Sequence, residues 1–152
     1  MPAAMTPPPG GPGPAEQSAG PGPARFGALV KQAARAAAAA PSRDLTGAVC
    51  ALLMLDPRHH NGILAVIEAI LSAAWEHPRH EVTANSWRDR VPAWVPAQLR
   101  GAATRKLLHS ELLVPTGRYE ACASTATGRN GGKLQPVYRA DLGRLGLPAA
   151  PA

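Results

Sequence analysis

ATGRNGGKLQPVYR, residues 126–139, decides how the rest of the chain is read. Asn130-Gly131 is a strong signal for a tight primed turn, because both central residues of such a turn need positive φ. Residues 118–125 before it and 134–139 after it read as strands. Arg129 and Lys133 flank the tip. A basic, glycine-loaded hairpin thus follows a chain whose earlier part is rich in alanine and patterned for helices. What lies upstream determines the meaning of the hairpin.

Working back from the hairpin, residues 112–114 read as a strand start and 115–117 as a turn. Residues 96–110 form a helix with Pro96 in its first turn. Leu99, Ala103 and Leu107 repeat every four residues and mark its buried side. A shorter helix covers 84–90, with Thr83 as N-cap and Pro92 after its end; Val82 is extended. Residues 62–76 carry Ile63, Val66, Ile67, Ile70, Leu71 and Ala74 at the 3-and-4 spacing of a core helix. Asn61 is its expected cap and Pro78 its stop. Further upstream, Asp44 caps a helix over 45–55. Residues 24–40 form another, with a thin stripe of Phe26, Leu29, Val30 and Ala33. Residues 141–147 are a weak helix or coil.

The predicted fold is therefore mainly α with a small β-hairpin. Helix, short helix, longer helix and basic hairpin follow one another in the order of a winged helix-turn-helix domain, placed at 58–141. One or two extra helices (24–57) and a Pro/Gly-rich arm (1–23) precede it, and a tail (142–152) follows.

Composition supports the same division. The chain has 152 residues, of which 32 are proline or glycine. Eight prolines and five glycines fall within residues 1–23, beside a single charge, Glu16. Such a segment has too little apolar surface to offset its ordering entropy and is expected to be disordered. It lacks the basic start and apolar core of a signal peptide, and no stretch is long enough to span a bilayer. With two cysteines, Cys50 and Cys122, and no export signal, reduced thiols and a cytoplasmic location are expected.

The net charge is +6. Residues 1–82 hold six basic and six acidic side chains, whereas 83–152 hold ten basic and four acidic ones. The excess therefore sits in the hairpin half, as a polyanion-binding face requires.

The segment VTANSWRDRVPAWVPAQLRGAATRKLLHSELLVPTGRYEACASTATGRNGGKLQPVYR resembles a family of small winged helix-turn-helix proteins of actinobacteria and their phages. The shared features are Val82-Thr83-Ala84, the Gly101-Ala102-Ala103 start of the longer helix and the Leu112–Gly117 exit. A basic, glycine-containing wing ending in Tyr138 completes them. About 80 residues are covered. Glu111 departs from the pattern, standing where such proteins carry a glycine that closes the helix. The resemblance implies nucleic-acid binding without naming a target.

On a helical wheel the side opposite Leu99, Ala103 and Leu107 carries Gln98, Gly101, Ala102, Arg105 and His109. Small residues at 101 and 102 let the helix approach DNA closely. Gln98 suits adenine, and Arg105 suits guanine or a phosphate. Arg100 and Lys106 lie nearer the core edge and are candidates for backbone contacts. Arg88, on the preceding helix, is a candidate phosphate contact, as are Arg129 and Lys133 at the wing tip. Trp87 and Trp94 read as packing residues.

His77-x-x-His80 has ligand-like spacing but no matching cysteine or carboxylate pair, so no metal is expected. The chain contains no P-loop, dinucleotide fingerprint or nucleophile elbow, and it is not read as an enzyme. No cofactor is implied. The expected partner is double-stranded DNA, in transcriptional regulation or in plasmid or phage replication. A homodimer through the N-terminal helices is compatible with this. A winged-helix module that docks on protein and an RNA- or ribosome-associated factor stay open as alternatives.

Overall fold

The computed structural model describes residues 22–122 and 133–146. Residues 1–21, the hairpin tip with Arg129 and the Asn130-Gly131 turn, and the last six residues lie outside the described residues.

Helix α1 (Pro23–Ala39) starts on a proline that needs no N–H there, and it stops before Pro41. It buries Leu29, Val30, Ala33 and Ala37, with Phe26 half-buried beside them. Helix α2 (Leu45–Leu55) is capped by Asp44, whose Oδ1 accepts from Gly47 N at 2.6 Å. A 3₁₀ turn, Pro57–His59, leads into α3 (His60–Glu76). The expected Asn61 cap is not used. The chain is already turning at Pro57, so Asn61 falls inside the helix, and Asp56 caps the turn by accepting from Arg58 N at 2.9 Å.

The central element is α3. Val66, Ile67, Ile70 and Ala74 have no exposed surface. It ends on two histidines. His77 Nδ1 accepts from the backbone N–H groups of Arg79 and Glu81. His80 takes a left-handed φ of 55°, its Nδ1 donates to Ala74 O at 3.0 Å, and its ring stacks on Trp75. Both side chains are thus engaged in closing the helix, and among the described residues no group of three metal-ligating side chains gathers.

Strand β1 (Glu81–Val82) follows, then α4 (Ala84–Trp87) tightening into a 3₁₀ turn at Arg88–Arg90, then α5 (Ala97–His109). Strands β2 (Leu113–Ala121) and β3 (Leu134–Ala140) complete an antiparallel sheet in the order β1-β3-β2. Val82 lies opposite Tyr138, and Leu113 opposite Ala140. The sheet therefore has one strand more than the expected hairpin. The expected turn at 115–117 is an irregularity inside one continuous strand. The register slips between Pro115 and Tyr119, with Gly117 at φ 81°, because pairing with β3 keeps the segment extended through its turn-forming residues.

Two close junctions fix the helices. At the end of α5, Leu112 N bonds Leu107 O and Glu111 N bonds Leu108 O, both at 3.1 Å. This is a Schellman motif, and its left-handed position is Glu111 at φ 63°. Glu111, standing where the resemblance implies a glycine, holds a glycine's conformation. Where α3 meets α5, a Cβ on Gly62 would lie 2.7 Å from Leu99 Cδ1. All five helices and the sheet share one core; Leu29, Val30 and Met54 of the first two helices join it. The N-terminal helices are thus packed onto the rest and do not form a separate hairpin.

Candidate nucleic-acid interface

Helix α5 turns two faces inward and one outward. Leu99, Ala103 and Leu107 are buried, as their spacing requires. Ala102 and Lys106 are buried too. Gln98, Gly101 and Arg105, at i, i+3 and i+7, are exposed, and Arg100 is half-buried at their edge.

Two expected outward positions, Ala102 and His109, and the core-edge contact candidate Lys106 are therefore corrected. Ala102 is 2% exposed, Lys106 has no exposed surface, and His109 is half-buried. The cause is α2, which packs along this side of α5. A Cβ on Gly47 would meet His109 Cε1 at 2.9 Å. Lys106 is no candidate for DNA. Its Nζ donates to Ala40 O at 2.5 Å, the C-cap carbonyl of α1, a helix with no basic residue of its own in the last turn. The ammonium supplies from another helix the cation that this terminus lacks.

The remaining described cations from Arg79 onward, Arg88 apart, fall into two sets. Arg90 pairs with Glu76, Arg118 and Arg79 with Glu81, and Arg144 with Glu111 and Asp141. Arg100, Arg105, Lys133 and Arg139 have no carboxylate partner among the described residues. Two of the four stand on α5. Lys133 is exposed at the start of β3. Arg139 alternates to the sheet face opposite Tyr138 and lies across from Glu81, away from α5. Arg88 is half-buried and turns toward the hairpin, its Nη2 3.3 Å from Cys122 Sγ.

Between α4, α5 and β3 runs a groove of about 510 Å³. Trp87, Leu108, Pro136 and Tyr138 give it apolar walls, while Arg100, Gly101 and Arg105 come from α5. Arg100 Nε and Gln135 Nε2, buried beside it, have no hydrogen-bond partner among the described residues. Burial raises the Tyr138 pKa, and neighbouring Tyr119 raises it further; Arg105 opposes them. The end of β2 nearest the hairpin tip is pinned to α4. Thr83 Oγ1 donates to Glu120 Oε1 at 2.7 Å, and Asn85 Nδ2 donates to Glu120 Oε1 and Ala121 O.

Trp87 packs as expected, but Trp94 is 63% exposed and is not a core residue. Gln135 and Tyr138 were not among the candidates; strand period alone does not say which strand face meets a helix. The structure thus brings Gln98, Arg100 and Arg105 together on one helix, leaves Lys133 exposed just before β3, and withdraws Lys106.

Comparison of the chain with protein families, curated proteins and solved structures finds no match. Among the described residues no helix is long and apolar enough to cross a membrane.

Proposed function

We propose that the chain is a winged helix-turn-helix protein that binds double-stranded DNA, with α5 in the major groove and the β2–β3 hairpin as the wing. The element order from α3 to β3 and the sheet order β1-β3-β2 support the fold assignment. One observation carries the functional one. The arginines of α5 have no carboxylate partner among the described residues, while Arg90, Arg118 and Arg144 are paired. Unpaired cations on an outward helix face are ready to replace the counterions of a phosphate backbone.

Gly101 adds to this. It stands mid-helix, where glycine costs roughly 0.5–1 kcal/mol against alanine, yet nothing lies within 4 Å of a Cβ built on it. The fold does not need a glycine there; a helix that approaches DNA closely does. Gln98 then faces base edges as an adenine reader, and Arg105 contacts a guanine or a phosphate. The unsatisfied donors of Arg100 and Gln135 line the groove where a backbone phosphate would pass. Transcriptional control or plasmid or phage replication are the roles this activity serves.

The test compares two double variants in an anisotropy titration with a labelled random-sequence duplex. Arg100→Ala/Arg105→Ala is expected to lose at least tenfold in affinity. Arg118→Ala/Arg144→Ala, removing equal charge from paired positions, is expected to lose much less. Equal losses would mean that only net charge matters and would sink the assignment of α5.

A further inference from the structure

The groove between α4, α5 and β3 holds more than a passing phosphate uses. A phosphodiester needs donors and positive charge, and both are present. Arg100 Nε and Gln135 Nε2 are buried at the groove without a hydrogen-bond partner among the described residues. A buried donor left unsatisfied forfeits its water and gains nothing in return. A groove that keeps two of them suits an acceptor arriving from outside. The charge agrees. Arg100 and Arg105 both line the groove, and no Asp or Glu is among the described residues that do.

A phosphate does not account for the walls. Trp87, Leu108, Pro136 and Tyr138 make them apolar and partly aromatic. The space they enclose, about 510 Å³, falls within the roughly 300–1,000 Å³ of small-molecule sites. Apolar walls with a few polar groups hold a ligand by one end and bury the other. Gly101 keeps the α5 side open, since nothing lies within 4 Å of a Cβ built on it.

We propose that the groove binds a small aromatic carboxylate, its oxygens accepting from Arg100 and Gln135 and its ring lying between Trp87 and Tyr138. A planar carboxylate matches the planar guanidinium, and aromatic walls favour a flat body over a flexible chain. Binding itself does not depend on DNA. Its consequence does, and rests on the proposed function. Arg100 and Arg105 serve the carboxylate and a backbone phosphate in turn, so the two ligands exclude each other and the small one releases the protein from DNA.

The test is equilibrium dialysis of the full chain with cinnamate as probe. Cinnamamide, with the same body but no charge, and inorganic phosphate, with charge but no body, are the controls. A dissociation constant on the order of 100 μM is expected for an anion of this size. Both controls are expected to bind at least tenfold more weakly. Gln135→Leu removes one donor at similar volume and is expected to lose about tenfold in cinnamate affinity. Gly101→Leu places a side chain in the groove from a position where the fold has room. It is expected to keep its Tm and to lose at least tenfold. No cinnamate binding at about 1 mM, a control bound as tightly as cinnamate, or a Gly101→Leu variant that binds like wild type overturns the inference. In the DNA titration, cinnamate at ten times its dissociation constant is expected to weaken DNA binding about tenfold, and cinnamamide to leave it unchanged. Cinnamate bound with DNA affinity unaltered overturns the exclusion. A chain that binds cinnamate but no DNA refutes the proposed function alone; one that binds DNA with steep salt dependence but no cinnamate refutes this site alone.

Discussion

Lys106 separates a cation that holds the fold from one that contacts a ligand. Its side chain has no exposed surface, and its Nζ bonds the C-cap carbonyl of α1. Truncation to alanine removes three methylenes beyond Cβ, worth about 0.8 kcal/mol each in lost burial, and leaves a cavity between α1, α2 and α5. Ala40 O loses its donor, which costs roughly 1 kcal/mol or more; against this, a buried ammonium disappears. The net expectation for Lys106→Ala is a loss of about 3 kcal/mol, read as a fall in Tm of about 12 °C at roughly 4 °C per kcal/mol for a chain of this size. Lys106→Met keeps the stem and loses only the hydrogen bond and the charge, so about 1 kcal/mol is expected. Thermal melts followed by circular dichroism give both values. DNA titration of the folded Lys106→Met variant completes the test, with affinity expected within about twofold of wild type. A Lys106→Ala variant melting within a few degrees of wild type would refute the packing argument. A Lys106→Met variant that melts normally but loses affinity as Arg105→Ala does would return Lys106 to the interface.

Three further outcomes follow from local geometry. Glu111→Gly relieves a left-handed φ that costs an ordinary residue roughly 1–2 kcal/mol, and it loses only the exposed pair with Arg144. Its Tm is expected to rise by a few degrees, and a fall would contradict the Schellman assignment. Gly62→Ala drives a methyl group into Leu99, which is buried and cannot swing away; the expected loss is about 1–2 kcal/mol in a denaturant melt despite alanine's better helix propensity. The Arg58 side chain, bonded to the Asp56 carboxylate, lowers its pKa from 3.8 to about 2. A depressed folded-state pKa adds stability above the unfolded value that is lost as the pH falls through the folded one. The wild type is therefore expected to exceed Asp56→Asn in Tm at pH 5, with the gap closing between about pH 4 and pH 2; a constant gap would contradict the linkage.

Much of the scaffold was legible in residue spacing. The apolar repeat over Ile63–Ala74, the Asp44 cap and the Leu99–Ala103–Leu107 row are local signals, and local hydrogen bonding and one-sided burial satisfy them. The misreadings involve partners distant in sequence. Periodicity shows that α5 has one buried side; it cannot show that α2 buries a second, so Ala102 and His109 went to the wrong face and Lys106, at the core edge, was taken for a contact residue. Pro115–Gly117 has turn chemistry, yet pairing with β3, some twenty residues away, keeps it in a strand. Charge placement directed attention to Arg100 and Arg105, while the separation of paired from unpaired arginines needed coordinates.

The central claim is that the unpaired cations of α5 and the wing contact phosphates. The most direct measurement is the affinity of the full chain for a random-sequence duplex as a function of salt. With about four phosphate contacts, log K should fall against log[salt] with a slope of roughly −3 to −4, so that raising salt from about 50 to 200 mM weakens binding about 100-fold. Arg105→Ala should make the slope shallower by about 0.9. A slope near zero, or an Arg105→Ala slope identical to wild type, would contradict the account.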